Sequence, residues 1–345
     1  MTLQQKLDKI ELHFIVGIGR SGSTLLTTLL NQTESCISVP EIHHFIKFYH
    51  KYKSIAIVSK QVIDDYKSYI DLFFKYKNNA LVGPVNYTLI DSLKIGDKIT
   101  YSQLTKLVYL GLYGEKGNTD KISVLVDKNP YYTLQLKKLL LVFPEAKYIA
   151  LVRDYRGFLL SNLQSKKIGT AKKSIFYYAL AWNLFIKELL YYHRIYNNKV
   201  KIVKYEDLIS HKETIVKEIF DFLNVPFSLS VFDFHKTMQD RLSLIQTSDK
   251  NYERMLNKIS NLSKPINETR MFDWQKQLTS EQIMACDILC STHGSKLGYT
   301  KASYYTKIDI FLVHLKSITS FIKVKVFEWM KSPELHFYYQ YKIKK

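Results

Sequence analysis

The segment LHFIVGIGRSGSTLLTTLLN, residues 12–31, contains the strongest fold signal in the sequence. Its first part, residues 12–17, is β-branched and aromatic as in a buried strand, and residues 24–31 have the apolar spacing of a helix. Between the two lies a loop with three glycines, Gly17, Gly19 and Gly22. In a strand, glycine loop and helix start, unpaired N–H groups converge and the helix dipole favours negative charge. The segment therefore predicts an anion-binding loop.

The same strand and helix alternation continues along the chain. Short apolar runs that suit strands covered on both faces recur at 123–126, 148–152 and 200–203. Helical spacing separates these runs, at 131–142, 158–166, 174–196 and 213–223. The alternation predicts an α/β fold of three layers, with a central parallel sheet flanked by helices.

Two regions depart from this alternation. Residues of about 45–115 are Lys- and Tyr-rich with few strand signals, which predicts a helical insertion. Residues 301–345 contain lysines spaced among large apolar residues. This spacing predicts a basic amphipathic C-terminal helix over residues 308–330. We therefore expect one main domain over residues 1–300 and an appendage after it.

The net charge and the cysteine content limit which partners and which cellular compartment fit this chain. There are 50 Lys and Arg against 31 Asp and Glu, a formal charge of +19, which predicts an anionic ligand or partner. The lysines are spread along the whole chain rather than gathered in one patch, so we do not expect nucleic acid as the partner, although a polyanion-binding protein remains a rival reading. An odd set of three cysteines, Cys36, Cys286 and Cys290, is typical of a reducing compartment and predicts a cytoplasmic protein.

The glycine loop matches only part of a known phosphate-binding motif. The spacing of Gly17 and Gly22 fits the first half of G-x-x-x-x-G-K-[ST], but Ser23 occupies the position of the Lys. A nucleoside triphosphatase uses that Lys and magnesium against a γ-phosphate of about two charges, whereas a sulfuryl group carries about one. The loop favours a P-loop-like fold without ATP chemistry. A kinase or NTPase remains the rival, with Asp127 as its candidate magnesium partner.

Residues 20–25 resemble the phosphosulfate loop R-S-G-[ST]-T-L of sulfotransferases that use 3'-phosphoadenosine-5'-phosphosulfate. The resemblance implies that this donor contacts Arg20, Ser21, Gly22, Ser23, Thr24 and Leu25. Residues 148–163 resemble the second signature of that family, which implies that Arg153 and Ser161 bind the 3'-phosphate. A planar guanidinium and a hydroxyl suit phosphate oxygens. From the residues alone, Arg153 paired with Asp154 is the alternative.

Further segments extend this resemblance over roughly residues 12–300. They are DKNP at 127–130, YEDL at 205–208 and the stretch from Trp274 to Tyr299. Residues 263–274 are similar to the tyrosylprotein sulfotransferase branch, which implies that Lys264 contacts the nucleotide. The family counterpart of Tyr205 also approaches the nucleotide, but this tyrosine could equally pack at a strand end.

The catalytic groups follow from what sulfuryl transfer requires: a base for the hydroxyl proton and cations for the developing charge. Glu41 takes the position of the catalytic carboxylate in related sulfotransferases and is the expected base. His43 and His44 are neighbouring alternatives, and Glu41 could instead be an acid at a helix N-terminus after Pro40. Lys128 and Arg20 are expected to stabilise charge on the transferred group.

The acceptor is expected to be a hydroxyl of a carbohydrate or glycan, with peptidyl tyrosine as the alternative. A lipid-linked sugar also fits, because the helix at 308–330 could lie on an anionic membrane, placing the protein on its inner face. The other reading of this helix is docking on the core. The residues predict no metal requirement, since Cys286 and Cys290 share a helical face without further ligands nearby.

Overall fold

The computed structural model describes residues 2–39, 41–77, 87–112, 119–164, 173–236, 238 and 262–330. Five parallel strands form one sheet in the order β2-β3-β1-β4-β5. The strands are β1 (Glu11–Gly17), β2 (Cys36–Val39), β3 (Val124–Lys128), β4 (Tyr148–Val152) and β5 (Val200–Lys204). The α/β fold with a central parallel sheet is confirmed.

Helices cover both faces of this sheet. The α-helices before β4 are α1 (Leu3–Lys9), α2 (Ser23–Leu30), α3 (His44–Tyr52), α4 (Lys60–Lys77), α5 (Thr88–Asp91), α6 (Tyr101–Leu112) and α7 (Leu136–Val142). Those after β4 are α8 (Tyr155–Leu163), α9 (Ile175–Ile195), α10 (Tyr205–Ser210), α11 (Lys212–Phe222), α12 (Asp273–Gln277), α13 (Ser280–Gly294) and α14 (Lys307–Met330).

Alternation along the strands explains the three layers. Phe14 of β1 and Tyr148 of β4 are register partners, and both point into the larger apolar cluster on one face. Ile15 and Ile149, one residue further along each strand, belong to the cluster on the other face. All four side chains are fully buried. Successive residues therefore face opposite layers, and the strands read as continuous apolar runs because both faces are covered.

The predicted elements lie close to the observed ones. The run at 148–152 is β4 without change, and the helix predicted at 158–166 is observed three residues earlier, as α8. Strand β2, which has only four residues, was not predicted as a strand. Helices α3 to α6 occupy the predicted insertion, of which residues 78–86 and 113–115 lie outside the described residues.

The C-terminal helix α14 packs against α9 and α13. Ser320 of α14 and Ser174, the N-cap of α9, share a hydrogen bond of 2.8 Å between their hydroxyls. Within the described ranges, none of the helices is both long enough and apolar enough to cross a bilayer. Residues 331–345 of the predicted appendage lie outside the described part of the chain.

Candidate active site

The predicted site residues follow the carboxyl ends of the five parallel strands. The strands end at or just before Gly17, Glu41, Lys128, Arg153 and Tyr205. In an open parallel sheet all carboxyl ends lie on one edge, and ligands bind in the crevice outside that edge. The sheet therefore brings together residues that are far apart in sequence.

The glycine loop after β1 is held closely against β4. Gly17 has φ of 123°, and a Cβ at this position would lie 2.0 Å from the carbonyl oxygen of Leu151. The Thr133 hydroxyl accepts from the Gly17 N–H and is also within 2.8 Å of its carbonyl oxygen. The buried Ser21 hydroxyl donates to the carbonyl of Ile18 at 2.5 Å. These contacts fix the loop, and they use the Ser21 hydroxyl inside the protein.

The loop ends at Gly22, the N-cap of α2, in the left-handed conformation with φ of 84°. A Cβ there would lie 3.0 Å from the ring of Tyr205, so the glycine lets that ring approach the helix start. The backbone N–H groups of Ser23, Thr24 and Leu25 form the first turn, where a helix has no internal acceptors for them. A glycine turn that leads into a helix N-terminus is the local geometry expected of an anion-binding loop, and anion binding by it stays a prediction.

Arg153 links the glycine loop to a C-terminal segment. Its Nη1 donates to the carbonyl of Arg20 at 3.1 Å and its Nη2 donates to the carbonyl of Arg270 at 2.9 Å. Its guanidinium lies 4.3 Å from the ring centroid of Tyr205. Its buried Nε has no hydrogen-bond partner among the described residues. Arg153 thus retains donor capacity and positive charge toward a phosphate.

The alternative in which Arg153 pairs with Asp154 is wrong. The Asp154 carboxylate is 2.7 Å from Nη2 of Arg156 and also accepts from the Arg156 N–H at the start of α8. The backbone carbonyl of Arg153 accepts a hydrogen bond of 2.9 Å from the indole N–H of Trp182. A Cβ at Gly157 would lie 2.9 Å from Arg153 Nε, so glycine leaves room for this guanidinium.

Three arginines concentrate positive charge at this edge. Arg20 Nε donates to the Ser161 hydroxyl at 2.9 Å, which joins two residues that the resemblance assigned to the donor. Arg20 is exposed as a whole residue, but desolvation of its guanidinium, followed by the charges of Arg153 and Arg270, lowers its pKa. Such crowding of like charges is unfavourable without an anion between them. The cluster is therefore suited to a multiply charged anion.

Arg270 was not predicted from the sequence. It lies in segment 263–274, already singled out for Lys264, so a second cation in that segment was an available signal. In the structure the Arg270 backbone contacts Arg153, and its charge acts on Arg20 and Tyr205. Lys264 is exposed, and its contact with the nucleotide stays a prediction.

Glu41 and Lys128 form an ion pair at the ends of β2 and β3. Lys128 Nζ is 2.7 Å from Glu41 Oε1, with side-chain exposures of 4% and 46%. The helix α3 begins at His44 with His43 as N-cap, so Glu41 precedes the first turn by more than one residue. Glu41 is thus placed by Lys128 rather than by a helix dipole. Its carboxylate is partly exposed and able to reach a ligand.

The two histidines beside Glu41 have different surroundings. His44 is fully buried, its ring packs edge-on to that of Tyr109, and burial lowers its pKa to about 3. A neutral, fully buried ring cannot exchange protons with an acceptor in the crevice, so His44 is a core residue. His43 is partly buried, and its Nδ1 is 3.0 Å from the side-chain nitrogen of Asn129.

Asp127, the candidate magnesium partner in the kinase reading, lies in the protein core. Asp127 is fully buried and accepts a hydrogen bond from the Tyr109 hydroxyl, on the side of the insertion helices. Burial and the nearby Asp127 raise the pKa of Tyr109 well above its usual value, so the tyrosine remains a donor. Among the residues the structure describes, no group of three His, Cys, Asp or Glu side chains could hold a metal ion.

Comparison with known proteins agrees with this geometry. A model of the sulfotransferase family matches residues 13–228, more than half of the chain, and the chain belongs to that family. Protein-tyrosine sulfotransferase 1 of Danio rerio is 26% identical over 190 residues, covering 54% of this chain and 50% of the relative. The chain thus spans about half the length of this relative.

Two solved structures share the fold. The sulfotransferase domain from the curacin biosynthetic pathway is 21% identical, with a TM-score of 0.51 over 84% of this chain and 98% of that domain. The sulfotransferase domain of an olefin synthase from Synechococcus PCC 7002 is 19% identical, with the same TM-score over 84% and 96%. At this level of identity the likeness concerns the fold.

Proposed function

We propose that this protein transfers a sulfuryl group from 3'-phosphoadenosine-5'-phosphosulfate to a hydroxyl acceptor. One observation carries the proposal. A phosphate loop without lysine lies at the same edge of the sheet as Arg153 and Ser161, and both of these residues bond to its Arg20. The loop suits the phosphosulfate end, and the arginine and serine pair suits a second phosphate on the same nucleotide.

The residues present fit this donor. The first-turn N–H groups of α2 would bind the 5'-phosphate oxygens, with Gly19 and Gly22 allowing close approach. Arg153, which has a buried Nε without a partner in the described ranges, and Ser161 would bind the 3'-phosphate. Lys264 and Tyr205 would complete the nucleotide site. The donor supplies an activated sulfuryl group and a phosphate leaving group.

Glu41 is the proposed general base. The Lys128 ammonium lies 2.7 Å from Oε1 and orients the carboxylate, whose side chain is 46% exposed and therefore accessible to an acceptor. As the acceptor oxygen bonds to sulfur, its proton passes to Glu41 and the sulfur–oxygen bond to the 5'-phosphate breaks with the electron pair on the phosphate. Lys128, released from the neutralised carboxyl, and Arg20 then stabilise negative charge on the transferred group.

The proposed acceptor is a carbohydrate hydroxyl. Peptidyl tyrosine is the second candidate, and it is favoured by the name of the Danio rerio relative. Both acceptors present a hydroxyl to the same base, so the chemistry at Glu41 and Lys128 is common to them. The insertion helices α3 to α6, next to Glu41, are the proposed source of selectivity between them.

A transfer assay with labelled donor tests this function. The purified chain is incubated with donor carrying radioactive sulfur and, in separate reactions, with a mixture of oligosaccharides and a tyrosine-containing acidic peptide. We expect label in an acceptor together with release of adenosine 3',5'-bisphosphate. Turnover of ATP without any binding of the phosphosulfate donor would overturn the proposal in favour of the kinase reading.

A further inference from the structure

The C-terminal helix α14 docks on the protein through its less apolar side. The four fully buried positions between residues 313 and 324 are Val313, Ser317, Ser320 and Val324. With about 100° of rotation per residue, they lie within an arc of about 60°. Two of the four are serines, and one of these bonds to the cap of α9. Docking therefore buries only a narrow face of the helix.

The opposite side of α14 is apolar and exposed. Its members are Ile308, Phe311, Leu312, Leu315, Ile318, Ile322 and Val326. These seven side chains, which we call the outer stripe, are 42–70% exposed. By the same rotation they fall within an arc of about 120° that lies opposite the docked face. A contiguous exposed face of large apolar side chains marks an interaction site.

Lysines border the outer stripe on both sides. Lys307 and Lys325 lie along one border, and Lys316 and Lys323 lie along the other, by helical rotation. The two acids of the helix lie further around it: Asp309 bonds to Thr306, and Glu328 pairs with Lys325. A band of large apolar side chains with cations on both borders is the pattern of a helix that lies in a membrane interface.

We propose that the outer stripe of α14 binds the surface of an anionic lipid bilayer. The apolar side chains would enter the boundary between headgroups and acyl chains, and the bordering lysines would contact lipid phosphates. Charge selects this occupant over a second copy of the chain. Two copies, each with formal charge +19, would bring their bordering lysines together, whereas an anionic membrane complements them.

This inference goes beyond the proposed sulfuryl transfer and does not depend on it. It gives α14 the role of holding the chain at a membrane surface that carries anionic lipid. Because the outer stripe lies on the side of α14 opposite the face that packs on α9 and α13, we expect changes in it to leave the donor site intact. Binding of adenosine 3',5'-bisphosphate therefore serves as a separate check of folding.

Vesicle co-sedimentation of the full chain tests the proposal. The vesicles are phosphatidylcholine alone and phosphatidylcholine with phosphatidylglycerol, at low and high salt. The test variant is Leu315→Gln with Ile322→Gln, and the matched control is Ile57→Gln with Leu141→Gln, which changes two equally exposed residues elsewhere. A second variant, Lys316→Gln with Lys323→Gln, is matched by Lys60→Gln with Lys94→Gln.

We expect the wild type and both controls to bind anionic vesicles. The stripe variant should bind at least about tenfold more weakly. The lysine variant should lose about tenfold or more on anionic vesicles only, and high salt should remove this difference. Equal sedimentation of the stripe variant and the wild type would overturn the proposal. So would a dimer by light scattering that the stripe variant abolishes, with no vesicle binding by either protein.

Discussion

Lys128 and Glu41 join the ends of two neighbouring strands through a contact of 2.7 Å between Nζ and Oε1. The lysine is buried and the carboxylate is half exposed, so the pair has one member fixed in the protein and one that a ligand can reach. The buried ammonium orients the carboxylate. This arrangement gives the proposed base its position.

Glu41→Gln should lower turnover and spare donor binding. The amide keeps the size of the side chain but accepts no proton, and loss of a general base costs about 10²–10⁴ in rate. The measurements are kcat for sulfuryl transfer and the Kd of adenosine 3',5'-bisphosphate. Glu34→Gln is the control, because Glu34 is an exposed partner of Lys121 on the surface. A variant that keeps wild-type kcat would show that Glu41 is not the base.

Arg270→Ala should weaken binding of the bisphosphate nucleotide. The side chain adds positive charge beside Arg20 and Arg153, while the contact with Arg153 is made by the backbone carbonyl and survives the substitution. We expect roughly a tenfold rise in Kd by calorimetry. Lys276→Ala, an exposed lysine of the nearby α12, is the matched control. Equal losses in both variants would mean a general charge effect.

Gly17→Ala and Gly19→Ala should separate the two roles of the loop glycines. A Cβ at Gly17 would lie 2.0 Å from the Leu151 carbonyl oxygen, so we expect loss of several kcal/mol of folding stability. A Cβ at Gly19 meets nothing within 4 Å, so we expect that variant to keep its stability and to bind donor less well. Urea unfolding and nucleotide titration measure the two effects. Equal stabilities would contradict the close packing of the loop on β4.

Local sequence signals were enough for most of the sheet. The strands β1, β3, β4 and β5 each contain a short apolar run that the sequence pattern detects, and β1, β3 and β4 are buried almost throughout. Strand β2, Cys36–Val39, is too short for such a signal and contains a serine whose backbone is bonded by Asn31. Its place at the sheet edge follows from pairing with β3, a contact between distant segments.

The site was only partly predictable for the same reason. Resemblance supplied Arg153 and Ser161, but not the arrangement in which Arg20 bonds to Ser161 and Arg153 spans two carbonyls. These contacts join segments more than 100 residues apart. The role of His44 likewise depends on its burial among aromatic rings. Its position near Glu41 in the sequence gives no signal of that burial.

Burial of His44 predicts a pH dependence of stability. Its folded pKa of about 3 is below the usual 6.5, so the unfolded state binds the proton more tightly. Stability from this group is complete above about pH 6.5 and falls as the pH drops toward 3, by at most about 1.4 kcal/mol per pH unit. Urea unfolding at pH 4 to 7 should show a smaller slope in His44→Phe. The exposed His50→Phe should keep the wild-type slope, and identical slopes in all three proteins would contradict the assignment.

Calorimetry with two nucleotides tests whether Arg153 and Ser161 bind a 3'-phosphate. Adenosine 3',5'-bisphosphate and 5'-adenylate are titrated into the wild type, Arg153→Ala and Ser161→Ala, with thermal unfolding to check that each variant folds. We expect the wild type to bind the bisphosphate at least about tenfold more tightly than 5'-adenylate. For the bisphosphate, Arg153→Ala should lose on the order of 2 kcal/mol of binding free energy and Ser161→Ala less, with little change for 5'-adenylate in either variant. Equal affinity of the wild type for the two nucleotides would show that this site does not bind a 3'-phosphate.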